Sequence, residues 1–282
     1  MHNPAFLTSS HGVRMPRILY GTAWKKERTA ELVAQAIELG FRGIDTAGQP
    51  KHYHEPGAGA AVAACLQRGL KREELYLQSK FTSLNGQDPT RIPYDPAAPL
   101  REQVAQSFQS SLANLQTDYL DCLVLHSPMA NPALTQEVWQ AMERLFDQGG
   151  VKQLGISNCY HPRLLEMLYQ SSRIKPAVLQ NRFYADTQYD HGLRAFCCQN
   201  RIVYQSFWTL TANPRILAHP VLLALAKKYQ RTAAQIFFRC LSQMEIVPLT
   251  GTTSATHMAE DLAIFEFELH PEECEAINRL LV

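Results

Sequence analysis

Short apolar runs alternate with longer amphipathic stretches along nearly the whole chain. Each short run is rich in Val, Ile, Leu and aromatic residues and is bounded by polar residues, glycine or proline. This pattern is typical of strands that are buried on both faces. Eight runs are predicted as strands, at residues 17–23, 41–47, 75–81, 120–127, 151–158, 177–183, 202–207 and 245–251.

The stretches between these runs have apolar residues at helical spacing. The first, residues 29–39, stops at Gly40, a residue that often follows the end of a helix. Eight strands alternating with about eight helices over about 250 residues predict a closed (β/α)₈ TIM barrel, an α/β fold. A doubly wound open sheet is the competing topology.

The N-terminal residues 6–17 contain a turn signal between two short apolar pieces, which predicts a β-hairpin. In a barrel such a hairpin would close the bottom. No Ser/Gly-rich linker or break in composition divides the chain, so residues 1–282 are predicted to form a single domain.

Composition narrows the class of protein. The 282 residues are 46% hydrophobic and 19% charged, with a formal net charge of +1, which argues against nucleic-acid or anionic-membrane partners. No apolar run is long enough to span a membrane, and no secretory signal begins the chain. The seven cysteines form no CxxC pair, which favours a reducing compartment. We therefore expect a cytoplasmic protein that is a monomer or a weak homodimer.

Ionisable side chains end three consecutive predicted strands. Asp45, Lys80 and His126 end the second, third and fourth, and Tyr53 follows shortly after Asp45. Taken singly, Asp45 could cap a turn, Lys80 could extend to solvent, and His126 could be a core histidine. Strand ends meet at the mouth of a barrel, however, and charges at buried positions need partners. The four residues are therefore predicted to form one group.

This group suits proton transfer to a carbonyl oxygen during hydride delivery. A free tyrosine has a pKa near 10, and a neighbouring ammonium would stabilise its phenolate. A carboxylate would keep the ammonium charged, and a histidine would orient the carbonyl. Tyr53 is thus the predicted general acid, assisted by Lys80, Asp45 and His126.

The segment GFRGIDTAGQPKHYHEPGAG, residues 40–59, resembles the signature of the aldo-keto reductases. The resemblance extends from the N-terminal hairpin to the last strand. It implies a (β/α)₈ barrel in which Asp45, Tyr53, Lys80 and His126 form the catalytic tetrad. It further implies an NAD(P)H-dependent carbonyl reductase that acts on small-molecule aldehydes and ketones.

The same resemblance implies a nicotinamide cofactor held in an extended form at the barrel mouth, with Tyr204 stacked on the nicotinamide ring. The family's adenosine-phosphate segment usually carries a Lys and an Arg, but here Thr252 and His257 stand in their places. We expect NADPH, with NADH as the alternative. The expected cofactor contacts are Thr22, Ser157, Asn158, Gln180, Tyr204, Gln205, Phe207, Gly251, Thr252, His257, Glu260 and Asp261.

The substrate pocket is expected to be open. Ser127, in LHSP, and Thr82 both stand where the family often has tryptophan. The predicted substrate-lining residues are Trp24, Phe81, Ser127 and His54. Broad tolerance of carbonyl substrates follows from the loss of two large rings.

Three other interpretations compete with this one. His52 and His54 could serve a metal-dependent hydrolase, although their loop position does not favour a metal site and none is predicted. The segment GAGAAV could be a phosphate-binding loop, but it does not follow a strand. A barrel that senses the redox state of its cofactor and regulates a partner would keep the same fold.

Overall fold

The N-terminal hairpin is present in the computed structural model, which describes residues 5–281. Strand β1 (Phe6–Thr8) pairs antiparallel with β2 (Arg14–Pro16), and Phe6 lies opposite Pro16. Met15 is fully buried and packs with Leu19 and Tyr76, side chains inside the N-terminal end of the barrel. The predicted hairpin at the bottom of the barrel is confirmed.

All eight remaining strands were predicted, and the structure shortens each by one to four residues. They are parallel to their neighbours and close into a barrel in which the last strand pairs with the first, so the open-sheet alternative is wrong. The strands are β3 (Leu19–Gly21), β4 (Gly43–Asp45), β5 (Tyr76–Phe81), β6 (Cys122–Leu125), β7 (Leu154–Ser157), β8 (Val178–Arg182), β9 (Val203–Phe207) and β10 (Ile246–Thr250).

Helices surround the barrel and cover its outer face. The first ends as predicted before Gly40, whose φ of 123° suits a residue without a side chain. None of the helices between residues 5 and 281 has the length and apolar character needed to cross a bilayer. They are α1 (Thr29–Leu39), α2 (Glu55–Gln67), α3 (Leu100–Leu115), α4 (Pro132–Asp147), α5 (Pro162–Ser171), α6 (His191–Gln199), α7 (Pro214–Leu217), α8 (Pro220–Tyr229), α9 (Ala233–Gln243), α10 (Ala255–Leu262) and α11 (Pro271–Asn278).

Alternation along each strand decides which side chains can reach the barrel mouth. In β5, Gln78 and Lys80 bond to Asp45 inside the barrel. Ser79 and Phe81 point outward, where Ser79 bonds to Glu55 at the start of α2. Successive side chains of a strand lie on opposite faces, so only every second residue can serve a site in the barrel.

Candidate active site

A buried ion pair lies at the centre of the barrel mouth. Lys80 is 1% exposed, and its Nζ donates to Asp45 Oδ2 at 2.6 Å and to the Thr46 carbonyl at 2.8 Å. The other Asp45 oxygen accepts from the amides of Gln78 at 2.7 Å and Gln180 at 2.9 Å. Burial by itself lowers the pKa of Lys80, but the charges of Asp45 and Tyr53 and the hydrogen bonds to both together outweigh burial, so the net pKa is raised. Lys80 therefore stays protonated.

Tyr53 lies beside this pair on the segment between β4 and α2. The Lys80 ammonium is 5.0 Å from the centroid of the Tyr53 ring. Burial raises the pKa of the Tyr53 phenol, while Lys80 acts in the opposite direction without cancelling that effect. The Lys80 ammonium thus lowers the pKa of Tyr53, but burial has the larger effect and the net pKa is raised. Tyr53 holds its proton at neutral pH, as a proton donor must.

His126 completes the group at the end of β6. Its ring centroid is 5.9 Å from that of Tyr53, and the two ring planes meet at 71°. Burial, with smaller contributions from Lys80 and His52, lowers the pKa of His126 to about 3. The imidazole is therefore neutral at physiological pH. The structure thus brings Asp45, Tyr53, Lys80 and His126 together at one point.

Asp45, Tyr53 and His126 line one edge of a cleft of about 800 Å³, and Lys80 is buried next to them. The cleft runs from Tyr53 and His126, across the ends of β7, β8 and β9, to the loop that leads into α10. Among the residues predicted for cofactor or substrate, it is lined by Trp24, Ser157, Asn158, Gln180, Phe207, Gly251 and Thr252.

Three predicted cofactor contacts on strands do not reach the cleft. The Tyr204 side chain points outward, where its hydroxyl donates to Asp190 at 2.9 Å and its ring packs on Phe183. Gln205 lies inside the barrel below the cleft and accepts from Gln180. Thr22 is fully buried and donates its hydroxyl to the Asp45 carbonyl. The aromatic ring that β9 presents at the cleft is that of Phe207, so the prediction that Tyr204 stacks there does not fit its position.

The predicted cofactor contacts on α10 also lie outside the cleft, because the last residue along the chain that lines the cleft is Thr253. His257 is exposed, and its backbone N–H bonds to the helix-capping Ser254 hydroxyl. The Glu260 carbonyl accepts from Gln235 of α9. Asp261 is buried next to Thr250, and burial raises the pKa of its carboxyl to about 6.

Two of the four residues predicted to line the substrate pocket, Trp24 and Ser127, line cavities that adjoin His126, and Phe81 and His54 do not. Trp24 lines the cleft, but Phe81 points outward and packs on Tyr94 at a centroid distance of 5.7 Å. His54 is exposed and caps α2, its Nδ1 accepting from the backbone of Gly57. Ser127 lines a neighbouring cavity of about 670 Å³, which shares His126 and Asn158 with the cleft.

The two histidines of the HYH segment are not a ligand pair. His52 stacks on Trp24 with ring centroids 3.9 Å apart and lines the cleft. His54 is occupied as a helix cap. Within residues 5–281 no three His, Cys, Asp or Glu side chains are grouped so as to hold a metal ion. The structure thus gives the hydrolase interpretation no site.

The glycines of GAGAAV lie inside α2 rather than in a phosphate-binding loop. A side chain at Gly59 would collide with the backbone carbonyl of Asn114 on α3. Gly59 therefore allows α2 and α3 to pack closely.

Sequence reasoning missed two cations that line the cleft. Lys25 follows Trp24, and its Nζ donates to the Gly251 carbonyl at 2.6 Å. Burial, with a smaller contribution from Arg28, lowers the pKa of Lys25 to about 8. Arg182 ends β8 and lies 4.0 Å from the ring centroid of Trp208, which also lines the cleft. Arg182 stands at a strand end, so the rule that identified Lys80 could have found it, whereas Lys25 lies in the loop after β3, beyond the reach of that rule.

The cleft has the chemistry needed for a nicotinamide dinucleotide. Hydroxyl and amide groups and the flat ring of Phe207 line one part of it, suited to a heteroaromatic carboxamide. Lys25 and the hydroxyl-bearing Thr252 and Thr253 line the opposite end, where a cation and hydroxyls suit phosphate groups.

Comparison with known proteins agrees with this chemistry. The family model described as "Aldo/keto reductase family" matches residues 17–282. An "Uncharacterized oxidoreductase YtbE" of Bacillus subtilis is 30% identical over 283 residues, covering 99% of this chain and 94% of that protein. "Glyoxal reductase" of the same organism is 30% identical over 274 residues, covering 96% and 90%.

Two solved structures have the same fold over nearly their full length. An aldo/keto reductase from Brucella melitensis has a TM-score of 0.84 at 26% identity and covers 98% of each chain. A Bombyx mori aldo-keto reductase in complex with NADP has a TM-score of 0.82 at 26% identity, covering 97% of this chain and 92% of that one.

Proposed function

Because this chain belongs to the aldo/keto reductase family, we propose that it reduces aldehydes or ketones to alcohols with a nicotinamide cofactor. The observation that carries the proposal is the buried Lys80–Asp45 pair, which lies beside Tyr53 and His126 at one edge of the cleft. A neutral phenol next to a charged ammonium is suited to donating a proton and to stabilising the phenolate that remains.

In this reaction the bound cofactor supplies a hydride to the carbonyl carbon. Tyr53 donates its hydroxyl proton to the carbonyl oxygen, and the Lys80 ammonium stabilises the phenolate that remains. Asp45 keeps Lys80 charged and fixes its direction through the bond at 2.6 Å. General acid catalysis of this kind contributes roughly 10² to 10⁴ in rate.

The cofactor is held by residues on both sides of the cleft. Ser157, Asn158 and Gln180 would hold the carboxamide, and Phe207, rather than Tyr204, would stack on the nicotinamide ring. Lys25 would neutralise phosphate charge, and a bound anion would restore its depressed pKa.

We infer that NADPH is preferred over NADH. Thr252 and Thr253 provide hydroxyls beside the N-terminus of α10, and the exposed His257 lies within its first turn. A similar protein is solved in complex with NADP. Fluorescence titration should give a dissociation constant at least about tenfold lower for NADPH, a difference of about 1.4 kcal/mol. Equal constants for the two cofactors would refute the preference.

The substrate is proposed to be a small carbonyl compound of broadly variable bulk. The cleft and the neighbouring 670 Å³ cavity meet at His126, which leaves space on two sides of the reacting carbonyl. Steady-state kinetics on aldehydes of increasing size should show kcat/KM values within about tenfold of one another, each tenfold step being 1.4 kcal/mol. Sharp discrimination by size would refute this tolerance.

The decisive experiment compares Tyr53→Phe with Tyr169→Phe, a matched change on α5 outside the barrel. Carbonyl reduction should fall by roughly 10² to 10⁴ in the first variant and remain at the wild-type level in the second. Full activity of Tyr53→Phe would exclude the mechanism. Wild-type protein that binds NADPH but reduces no carbonyl would instead support a redox-sensing barrel.

The proposed location is the cytoplasm. All seven cysteines are free thiols, and five of them are buried. Free thiols are what a reducing compartment maintains. Subcellular fractionation tests this proposal, and recovery of the protein in an oxidising compartment would contradict it.

A further inference from the structure

A threonine hydroxyl contacts the histidine of the tetrad. Thr82 directly follows β5, is 4% exposed, and places its Oγ1 2.6 Å from His126 Nδ1. Its backbone carbonyl accepts from the Tyr94 hydroxyl at 2.8 Å and from the Gln87 amide at 3.1 Å. These bonds anchor Thr82 through its main chain and leave the hydroxyl to serve His126.

The charges around His126 decide which atom donates in this contact. Burial opposes a positive charge on the ring most strongly, and Lys80, from β5, and His52, from the segment after β4, oppose it further. The carboxylate of the tetrad, Asp45, is already bonded to Lys80, Gln78 and Gln180. The ring is therefore neutral and carries one proton, so one nitrogen donates and the other accepts.

The position of that single proton follows from what each nitrogen faces. Nδ1 is occupied by Thr82, so only Nε2 is available to a carbonyl compound in the cleft. A carbonyl oxygen can only accept a hydrogen bond, which requires the proton to be on Nε2. Nδ1 then has a lone pair, and the hydroxyl of Thr82 must donate to it.

We propose that Thr82 is a positioning residue, whose hydroxyl donates to Nδ1 and thereby holds His126 as the Nε2–H tautomer directed at the substrate carbonyl. The reaction it serves rests on the carbonyl reduction proposed above, whereas the tautomer itself is a property of the resting protein. A tryptophan, which the resemblance leads one to expect at this position, has no hydroxyl to donate.

The spectroscopic test reads the tautomer directly. In long-range ¹H–¹⁵N spectra of the full chain, with His126 assigned by its loss in His126→Gln, Nδ1 should be unprotonated and Nε2 protonated. Thr82→Ser should retain this pattern, and Thr82→Val, which replaces the hydroxyl with a methyl group of similar size, should give a mixture of tautomers. A wild-type spectrum with the proton on Nδ1 would overturn the proposal, and this test stands even if Thr82→Val fails to fold.

The kinetic test uses the same variants with Thr187→Val as the matched control, a threonine outside the cleft that bonds to the Tyr184 carbonyl. Thr82→Val should lower kcat roughly 10- to 100-fold, the effect of one misdirected hydrogen bond. The kcat values of Thr82→Ser and of the control should stay within about threefold of the wild-type value, which is well short of the loss expected for Thr82→Val. Unchanged kcat in Thr82→Val would overturn the positioning role.

The failures of the two proposals can be told apart. An inactive wild-type protein whose His126 is nevertheless the Nε2–H tautomer would refute carbonyl reduction and leave the Thr82 contact intact. An active wild-type protein with the opposite tautomer would refute the role of Thr82 alone.

Discussion

On one side of the barrel mouth the polar side chains are buried and bonded to one another, whereas on the other side aromatic side chains stand in solvent. We refer to the first set as the buried cluster and to the second as the exposed rim. Trp24 and Trp208 of the rim are 60% and 50% exposed, while Lys80 of the cluster is 1% exposed. The buried cluster comprises Asp45, Gln78, Lys80, Gln180 and Gln205. The exposed rim comprises Trp24, Phe207, Trp208 and Gly251, and Gly251 accepts from the buried Lys25 next to the rim.

The buried cluster and the exposed rim differ in how far their side chains depend on one another. The buried cluster is complete in the structure itself, because each charge and amide bonds to another member. The rim holds backbone conformations that side chains adopt rarely, with φ of 64° at Trp24 and 57° at Trp208. We therefore expect that substitutions in the cluster affect both stability and carbonyl reduction, whereas substitutions in the rim affect cofactor binding with little effect on stability.

The largest expected effect comes from breaking the ion pair of the cluster. Lys80→Met leaves Asp45 buried without its counter-ion, so we expect a loss of about 3–5 kcal/mol in the free energy of unfolding. Carbonyl reduction should fall with it by at least about 10², since Tyr53 loses its charged neighbour. Urea denaturation and steady-state kinetics measure the two quantities.

Lys227→Met, at an exposed position on α8, is the control and should leave both quantities unchanged. An inactive Lys80→Met variant of wild-type stability would show that the cluster does not link stability to catalysis.

The next effect concerns Asp261, which is 4% exposed behind the rim. Burial raises the pKa of its carboxyl from 3.8 to about 6, so the folded protein favours the protonated form. Asp261 therefore contributes fully to stability below about pH 4. This contribution, at most about 3 kcal/mol of the free energy of unfolding, is lost as the pH rises through 6. Asp261→Asn should remove this decline.

The measured quantity is the difference in free energy of unfolding between wild type and Asp261→Asn at each pH from 4 to 7. Taking the difference cancels His126, whose depressed pKa acts in the opposite sense over the same range. A difference that does not vary with pH would show that Asp261 titrates normally.

A smaller effect is expected for binding at the rim. Lys25→Met removes a buried cation from the cleft, and a charged hydrogen bond to a phosphate contributes about 1.5–3 kcal/mol. NADPH should bind roughly 10- to 100-fold more weakly by fluorescence titration. The midpoint of thermal unfolding should change little, unlike that of Lys80→Met. Lys26→Met, the exposed neighbour, serves as the control, and equal loss of binding in both variants would exclude a specific role for Lys25.

The smallest effect is expected at Trp208. Its ring lies 4.0 Å from the Arg182 guanidinium, a contact that contributes about 0.5–1 kcal/mol at an exposed site. Trp208→Ala should raise the KM for the cofactor about twofold to fivefold, the equivalent of that energy, with unchanged kcat. Leu223→Ala, which is similarly exposed on α8, should change neither constant. A large loss of stability in Trp208→Ala would show that the rim carries part of the fold.

The same division separates what sequence could predict from what it could not. The barrel and the tetrad were predictable because buried strands leave a clear apolar pattern, and an ionisable residue at the end of such a strand must have a partner. Asp45, Lys80 and His126 each stand at or next to the end of a strand, where this reasoning applies.

Residues on the rim were harder to predict. Tyr204 and Phe207 lie on the same strand three residues apart, hence on opposite faces, and without the register an aromatic residue on the wrong face was chosen. His52 lines the cleft and the predicted His54 does not, because the path of a loop is set by its tertiary contacts, here the Trp24 ring for His52 and the start of α2 for His54. The spacing of apolar residues along the chain predicts neither the register of a strand nor the contacts of a loop.

The close packing at Gly59 has a consequence for how this enzyme can be varied. The residue touches the main chain of Asn114, so any side chain there must push α2 away from α3. Tyr53 directly precedes the His54 cap of that helix. Substitutions at Gly59, although far from the cleft, should therefore displace the helix start that follows Tyr53, and we expect few side chains to be tolerated there.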